Sequence, residues 1–246
     1  MNVLKIFVGI IVIIAFLIYI YYYFNFGKNK KYRLNGNFVE NLSFDEALVV
    51  DVRTRAEYER GHSKNAINLP FGVIKNDSRI LENYKNKQII FYCTLDVMST
   101  KAKKYFFEKG YENLQIADGY MQYSYKKRMY PNILLNDFKG RALERDTITL
   151  NVSENKYLKK EVHIVFETLE NNFLKLNYFK DYNILIFSDD SKKSMSASDF
   201  LYERGFKVVN LIEDFKLENF QTPFDKAEQE KLYSKKIEQE FCSKWV

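Results

Sequence analysis

Short apolar runs alternate with helical patterns along most of the chain. Ala47 to Val52, Ala66 to Leu69, Ile89 to Tyr92 and Leu114 to Ala117 each read as a buried strand bounded by polar or turn residues. Ser99 to Lys109 carries a helical pattern that Gly110 stops. Ser43 and Glu46 have the spacing of a capping box and predict a short helix ahead of the first strand. Strands and helices in this alternation predict an α/β fold with a mostly parallel sheet flanked by helices.

The same order recurs further along. Ile184 to Phe187 mirrors Ile89 to Tyr92, and Ser188 stands 95 positions after Cys93. At that offset Ser99 matches Ser194, Ala102 matches Ala197, Glu108 matches Glu203 and Gly110 matches Gly205. Ile148 to Val152 echoes Leu48 to Val52, with Asn151 in the place of Asp51. Matches at one spacing predict two domains of one fold. The expected layout is a first domain over 39–128, a linker over 129–145, a second domain over 146–220 and a charged C-terminal helix over 221–246.

The N-terminus is different. Ile6 to Phe24 holds 19 residues without a charge, close to the ~20 apolar residues that cross a bilayer as a helix. Tyr19, Tyr21, Tyr22 and Tyr23 at its end suit a membrane interface. A cleaved signal peptide is the rival, but Asn25, Phe26, Gly27 and Lys28 make a poor cleavage site. The expectation is an anchor over 1–27 that meets the lipid bilayer through residues 6–24, then a basic linker over 28–38. Lys28, Lys30, Lys31 and Arg33 outweigh Lys5 and the α-amino group, so a single-pass protein would keep its body on the cytoplasmic side.

That linker supplies much of the net charge of +6; elsewhere Lys and Glu interleave as on a solvated surface, notably between Lys226 and Lys244. No aromatic-plus-basic RNA motif or zinc-ligand spacing stands out, so neither a nucleic-acid partner nor a metal is expected. The two cysteines, Cys93 and Cys242, cannot build a disulfide framework. A lone cysteine directly after a predicted strand is either a small buried hydrophobe or a nucleophile.

Asp51-Val52-Arg53, then Glu57-Tyr58, Gly61-His62 and Ala66-Ile67-Asn68-Leu69-Pro70, resemble the first signature of rhodanese-like domains. Phe91-Tyr92-Cys93, with Ser99 six positions on and a helix ending at Gly110-Tyr111, resembles the second; Asp118-Gly119 resembles the closing turn. The resemblance implies two rhodanese-like domains after the anchor and a sulfurtransferase that needs no organic cofactor. Cys93 would form a persulfide inside a cradle made by Thr94, Leu95, Asp96, Val97, Met98 and Ser99. Its sulfur would come from a small donor or a protein persulfide, with a protein acceptor possible. The loop length fits phosphatase relatives of the fold less well.

Two departures bear on activity. Typical active members carry Gly where Asp96 stands and Arg where Met98 stands. Losing the arginine removes a bidentate anion ligand, and Asp96 is expected to set a negative charge beside the site. Either the donor differs from thiosulfate or the protein is an inactive, membrane-tethered binding module. Asp51, Arg53 and His62 are possible supports: Arg53 either reaches the loop or pairs with a nearby carboxylate, and His62 is expected to be structural. Ser188 cannot hold a persulfide, and His163 forms no evident triad with it, so the second domain is expected to be structural.

Overall fold

The computed structural model describes residues 9–20, 32–77, 79–158 and 161–217. Its strands are β1 (Arg33–Leu34), β2 (Leu48–Asp51), β3 (His62–Ser63), β4 (Ala66–Asn68), β5 (Ile89–Tyr92), β6 (Leu114–Ala117), β7 (Lys127–Arg128), β8 (Asn132–Ile133), β9 (Thr147–Asn151), β10 (Val162–His163), β11 (Asn183–Phe187) and β12 (Lys207–Leu211). The main helices are α1 (Gly36–Glu40), α2 (Arg55–Glu59), α3 (Phe71–Asn76), α4 (Val97–Glu108), α5 (Leu135–Arg141), α6 (Leu169–Asn172) and α7 (Ser191–Glu203).

Ten strands form one parallel sheet in the order β1-β6-β5-β2-β4-β8-β12-β11-β9-β10, while β3 and β7 pair antiparallel beside it. The central strands read as continuous apolar runs because both faces are covered. Along β5, Ile89 and Phe91 enter one core cluster and Ile90 and Tyr92 another. This period of two carries Cys93 onto the Ile89–Phe91 face, where Ala102 and Phe106 of α4 also pack. In β11, Ile184 and Ile186 face one core, Leu185 and Phe187 the other. Gly110, the expected helix stop, and its match Gly205 adopt φ of +81° and +79°, the left-handed conformation that favours glycine past a helix end.

The strand orders β1-β6-β5-β2-β4 and β8-β12-β11-β9-β10 follow the same path through the chain. They meet at β4 and β8, where Ile67 pairs with Asn132. Buried polar groups tie the seam. The Asn132 N–H donates to the Tyr58 hydroxyl (3.1 Å), and its amide donates to the Lys64 and Ala66 carbonyls (3.0 Å each).

Several expectations shift. The Ser43 N–H and hydroxyl both donate to the Glu46 carboxylate, at 2.7 and 2.9 Å, which is half of the expected capping box, and residues 44–46 form a turn rather than a helix. Buried Ala47 and Leu48 already begin the sheet there, which leaves no length for further turns. Arg33 and Leu34 pair with β6 instead of ending a linker. Residues 129–145, expected as a linker, supply β8 and α5.

Residues 9–20 are helical, with Ile10 to Ile14 at 50–63% exposure. The rest of the expected span Ile6 to Phe24 lies outside the described residues, as do the expected C-terminal helix over 221–246 and Cys242. Among the described residues no helix is long and apolar enough to cross a membrane.

Candidate active site at Cys93

The connection after β2 leads toward β4 on one side, and that after β5 leads toward β6 on the other. A crevice opens where adjacent parallel strands send their chains opposite ways, beyond the strands' carboxyl ends. Asp51 and Tyr92 are register partners, so the segments starting at Val52 and Cys93 flank that crevice. A cavity of about 430 Å³ lies there, lined by Val52, Arg53, Thr54 and Glu57 from one segment and Cys93, Thr94, Leu95, Val97 and Met98 from the other, with Pro70, Phe71 and Gly72 closing it.

Cys93 is a free, buried thiol, 4% exposed, and lines this cavity. Its Sγ lies 3.6 Å from the Ser99 Oγ, whose hydroxyl donates to the Asp96 carbonyl at 2.9 Å. The loop proper is shorter than expected, since Val97, Met98 and Ser99 already form the first turn of α4. The first bond of that turn runs from the Thr100 N–H to the Asp96 carbonyl (2.9 Å). The N–H groups of Val97, Met98 and Ser99 precede it, so the end of a 12-residue helix offers donors to negative charge beside the thiol.

The closing turn clamps this loop from behind. The Tyr120 N–H donates to the Cys93 carbonyl (2.8 Å) and the Met121 N–H to the Thr94 carbonyl (3.2 Å). Gly119 passes so near that a Cβ would strike the Thr94 carbonyl, a backbone atom with little room to give. Gly119→Ala should therefore cost about 1–3 kcal/mol and expose Cys93, read as a lower urea midpoint and faster alkylation by iodoacetamide.

Asp96 is placed differently from expectation. It adopts φ of +82°, the one positive φ outside glycine among the described residues. Its buried carboxylate turns away from the cavity and pairs with Arg33 of β1, with Gln122 Nε2 at 3.4 Å. Arg33 also lies 3.6 Å from Asp118. The charge expected to oppose anions is thus taken up by a cation 63 residues upstream, which local spacing gives no means of finding.

Arg53 takes the second of its two expected roles. Its Nη2 and Nε donate to Asp51 at 2.6 and 3.0 Å, and Nη2 also donates to the Gly61 carbonyl at 2.9 Å. The guanidinium stacks on Tyr120, 3.9 Å from the ring centre. Burial pushes the Asp51 carboxyl up, opposed by this fork of donors. Arg53 touches the cavity, while its Nε and Nη2 hold the strand end and Asp51 pairs with its charge. Glu57 is the other charged lining group. Its bond from the Thr54 hydroxyl (2.6 Å) holds its carboxyl below the usual range, so it is ionised at neutral pH. Thr54 and Glu57 also form the capping box of α2, a spacing visible in the sequence but not singled out there.

His62 is fully buried, stacks on Tyr58 and bonds the Tyr58 carbonyl through Nδ1 at 2.9 Å. Burial pushes its pKa down to about 4, so it is neutral and structural at physiological pH. The unfolded chain binds this proton near 6.5, so stability present above that pH is lost as pH falls toward 4. Between pH 7.5 and 4.5 this one group should remove about 2–3 kcal/mol. Denaturation at both pH values should show that difference shrinking by a similar amount in His62→Asn.

Ser188 holds the equivalent place beside β9 and β11. Ser188 is fully buried, with its Oγ 3.4 Å from Ser153 Oγ, and the Asp189 N–H donates to Ser153 at 2.9 Å. The Phe215 N–H donates to the Ser188 carbonyl at 2.8 Å, as Tyr120 does to Cys93. His163 bonds the Ser153 carbonyl through Nε2 (2.8 Å) rather than Ser188.

The sequence profile of the rhodanese-like domain matches residues 35–125, the stretch that contains β2, β5, the Cys93 loop and the clamp at Gly119. This segment is a rhodanese-like domain. Curated relatives named tRNA uridine(34) hydroxylase are similar to part of this chain. The protein of that name from Photorhabdus laumondii is 33% identical over 92 residues, 35% of this chain and 26% of its own length. The one from Buchnera aphidicola is 31% identical over 129 residues, 50% of this chain and 40% of its own. A solved structure described as a rhodanese with anions from E. coli is 30% identical over 33% of this chain and 96% of its own, with a TM-score of 0.30. This chain therefore spans well under half the length of those two curated relatives. Among the described residues no group of acidic, histidine and cysteine side chains is arranged to hold a metal ion.

Proposed function

We propose that the protein is a membrane-anchored sulfurtransferase or sulfur carrier that holds sulfane sulfur as a persulfide on Cys93. The observation that carries this reading is the position of Cys93 at the switch-point crevice, lining a cavity with the Ser99 hydroxyl 3.6 Å from its sulfur. The Cys93 thiolate would attack the outer sulfur of a persulfide R–S–SH, forming Cys93–S–SH and releasing R–S⁻. A thiol acceptor, including one on another protein, would then take the outer sulfur. The second half is read as a degenerate copy of the first: it follows the same strand path, while buried Ser188 stands in the place of the nucleophile. Residues 6–24 would tether the body to the cytoplasmic face of a lipid bilayer, on the strength of the uncharged run and the cations after it. What the name of the curated relatives says of their substrate is not carried over, since their shared segment is a minor part of those chains.

The test is the intact mass of the full chain after incubation with glutathione persulfide. The expected result is a gain of about 32 Da that reductant removes and that Cys93→Ser does not show. Equal gain in Cys93→Ser would refute the assignment. No gain in either protein would favour a membrane-tethered binding module without turnover.

A further inference from the structure

The charges around the Cys93 cavity select its donor. Met98 stands at the loop's exit, where an arginine would face an anion, and it is 42% exposed at the mouth beside Leu95 (43%) and Val97 (46%). Val52, Pro70 and Phe71 continue the apolar lining. Among the described residues Arg53 is the one cation that lines the cavity, and Asp51 pairs with its charge through Nε and Nη2 while the guanidinium stacks on Tyr120. Glu57 places a carboxylate in the same wall. An anionic donor would give up its water to enter, find the N–H groups at the start of α4 but no cation whose charge is unpaired, and pass the Glu57 carboxylate; an uncharged apolar donor gains by burial instead.

Resting on the persulfide reading of Cys93, we infer that this cavity takes uncharged, apolar sulfane-sulfur compounds, of the class of dialkyl trisulfides, in preference to anionic donors. The Cys93 thiolate attacks the central sulfur of R–S–S–S–R, forming Cys93–S–S–S–R and releasing R–S⁻. A second thiolate R′–S⁻ then attacks the sulfur that carries R, giving R′–S–S–R and leaving Cys93–S–S⁻. Every sulfur, proton and electron pair is accounted for by the trisulfide and the two thiolates, and no separate oxidant enters.

Two trisulfides with the same three-sulfur chain separate cavity selection from intrinsic reactivity. Dipropyl trisulfide is uncharged, and glutathione trisulfide carries carboxylates. The full chain would be mixed with each, and the rate of mass gain at Cys93 divided by that donor's rate with free N-acetylcysteine. The normalised rate for dipropyl trisulfide should be at least about tenfold higher, because the anionic donor must be desolvated without a cation to receive it. Met98→Arg should cut that preference to about threefold or less by supplying the cation. Equal or faster loading from glutathione trisulfide would overturn this selectivity and leave the persulfide reading standing. Failure of both trisulfides and of glutathione persulfide to load Cys93 would overturn both.

Discussion

Arg33→Leu should destabilise the folded chain by about 3–5 kcal/mol, the range for removing one partner of a buried ion pair. Arg33 and Asp96 have side chains that are 6% and 3% exposed. Removing the cation leaves a carboxylate buried where it has little water to turn to. Asp96 also holds φ of +82°, which costs an L-residue about 1–2 kcal/mol and glycine almost nothing. Arg33→Leu with Asp96→Gly should therefore regain a large part of the loss, because the orphaned charge and the backbone strain vanish together. Urea unfolding of wild type, both single variants and the double variant closes the cycle. A cost below about 1 kcal/mol for Arg33→Leu would mean the pair behaves like a solvated surface pair, and that β1 does not hold the Cys93 loop.

Met98→Arg should raise sulfur loading of Cys93 from thiosulfate by roughly ten- to a hundredfold. One added hydrogen bond to a charged group is worth about 1.5–3 kcal/mol. The position suits it, since Met98 is half-exposed in the first turn of α4 and lines the cavity. Asp96→Gly, by contrast, should give no such gain, because the carboxylate it removes faces Arg33 and not the cavity. It should instead lower stability by stripping Arg33 of a partner. Loading rates from thiosulfate in the two single variants distinguish these effects. A gain from Asp96→Gly equal to that from Met98→Arg would show that the Asp96 charge is felt at the sulfur after all.

Much of the framework was legible because it rests on contiguous signals. Ile89 to Tyr92 is the full extent of β5, since a doubly covered parallel strand writes itself as an unbroken apolar run, and Leu114 to Ala117 is that of β6, whose Gln115 is exposed. Gly110 and Gly205 marked helix ends through a backbone conformation that side chains resist. β1 and β8 were hidden for the opposite reason: each is two residues long, and each is recruited by a partner strand rather than by its own pattern. Ser43–Glu46 and Thr54–Glu57 share one spacing, yet only the second leads into a helix, because the sheet claims Leu48 before a helix can grow.

At the site, Cys93 and Ser99 belong to one local motif and Asp51 and Arg53 to another, which is why local spacing brought them into view, and His62 is buried with its Nδ1 on the Tyr58 carbonyl. The Arg33–Asp96 pair lies outside such spacing, since it joins residues 63 apart through sheet packing. Glu57 was visible as part of a motif, but its place in the cavity wall depends on how α2 sits beside β2.

The most direct test locates the sulfur. The full chain, loaded with glutathione persulfide, would be alkylated under non-reducing conditions, digested and sequenced by tandem mass spectrometry. The chain has two cysteines, Cys93 and Cys242. The expected result is the extra sulfur, about 32 Da, on the peptide containing Cys93. Sulfur found on Cys242 with Cys93 unmodified would contradict the account.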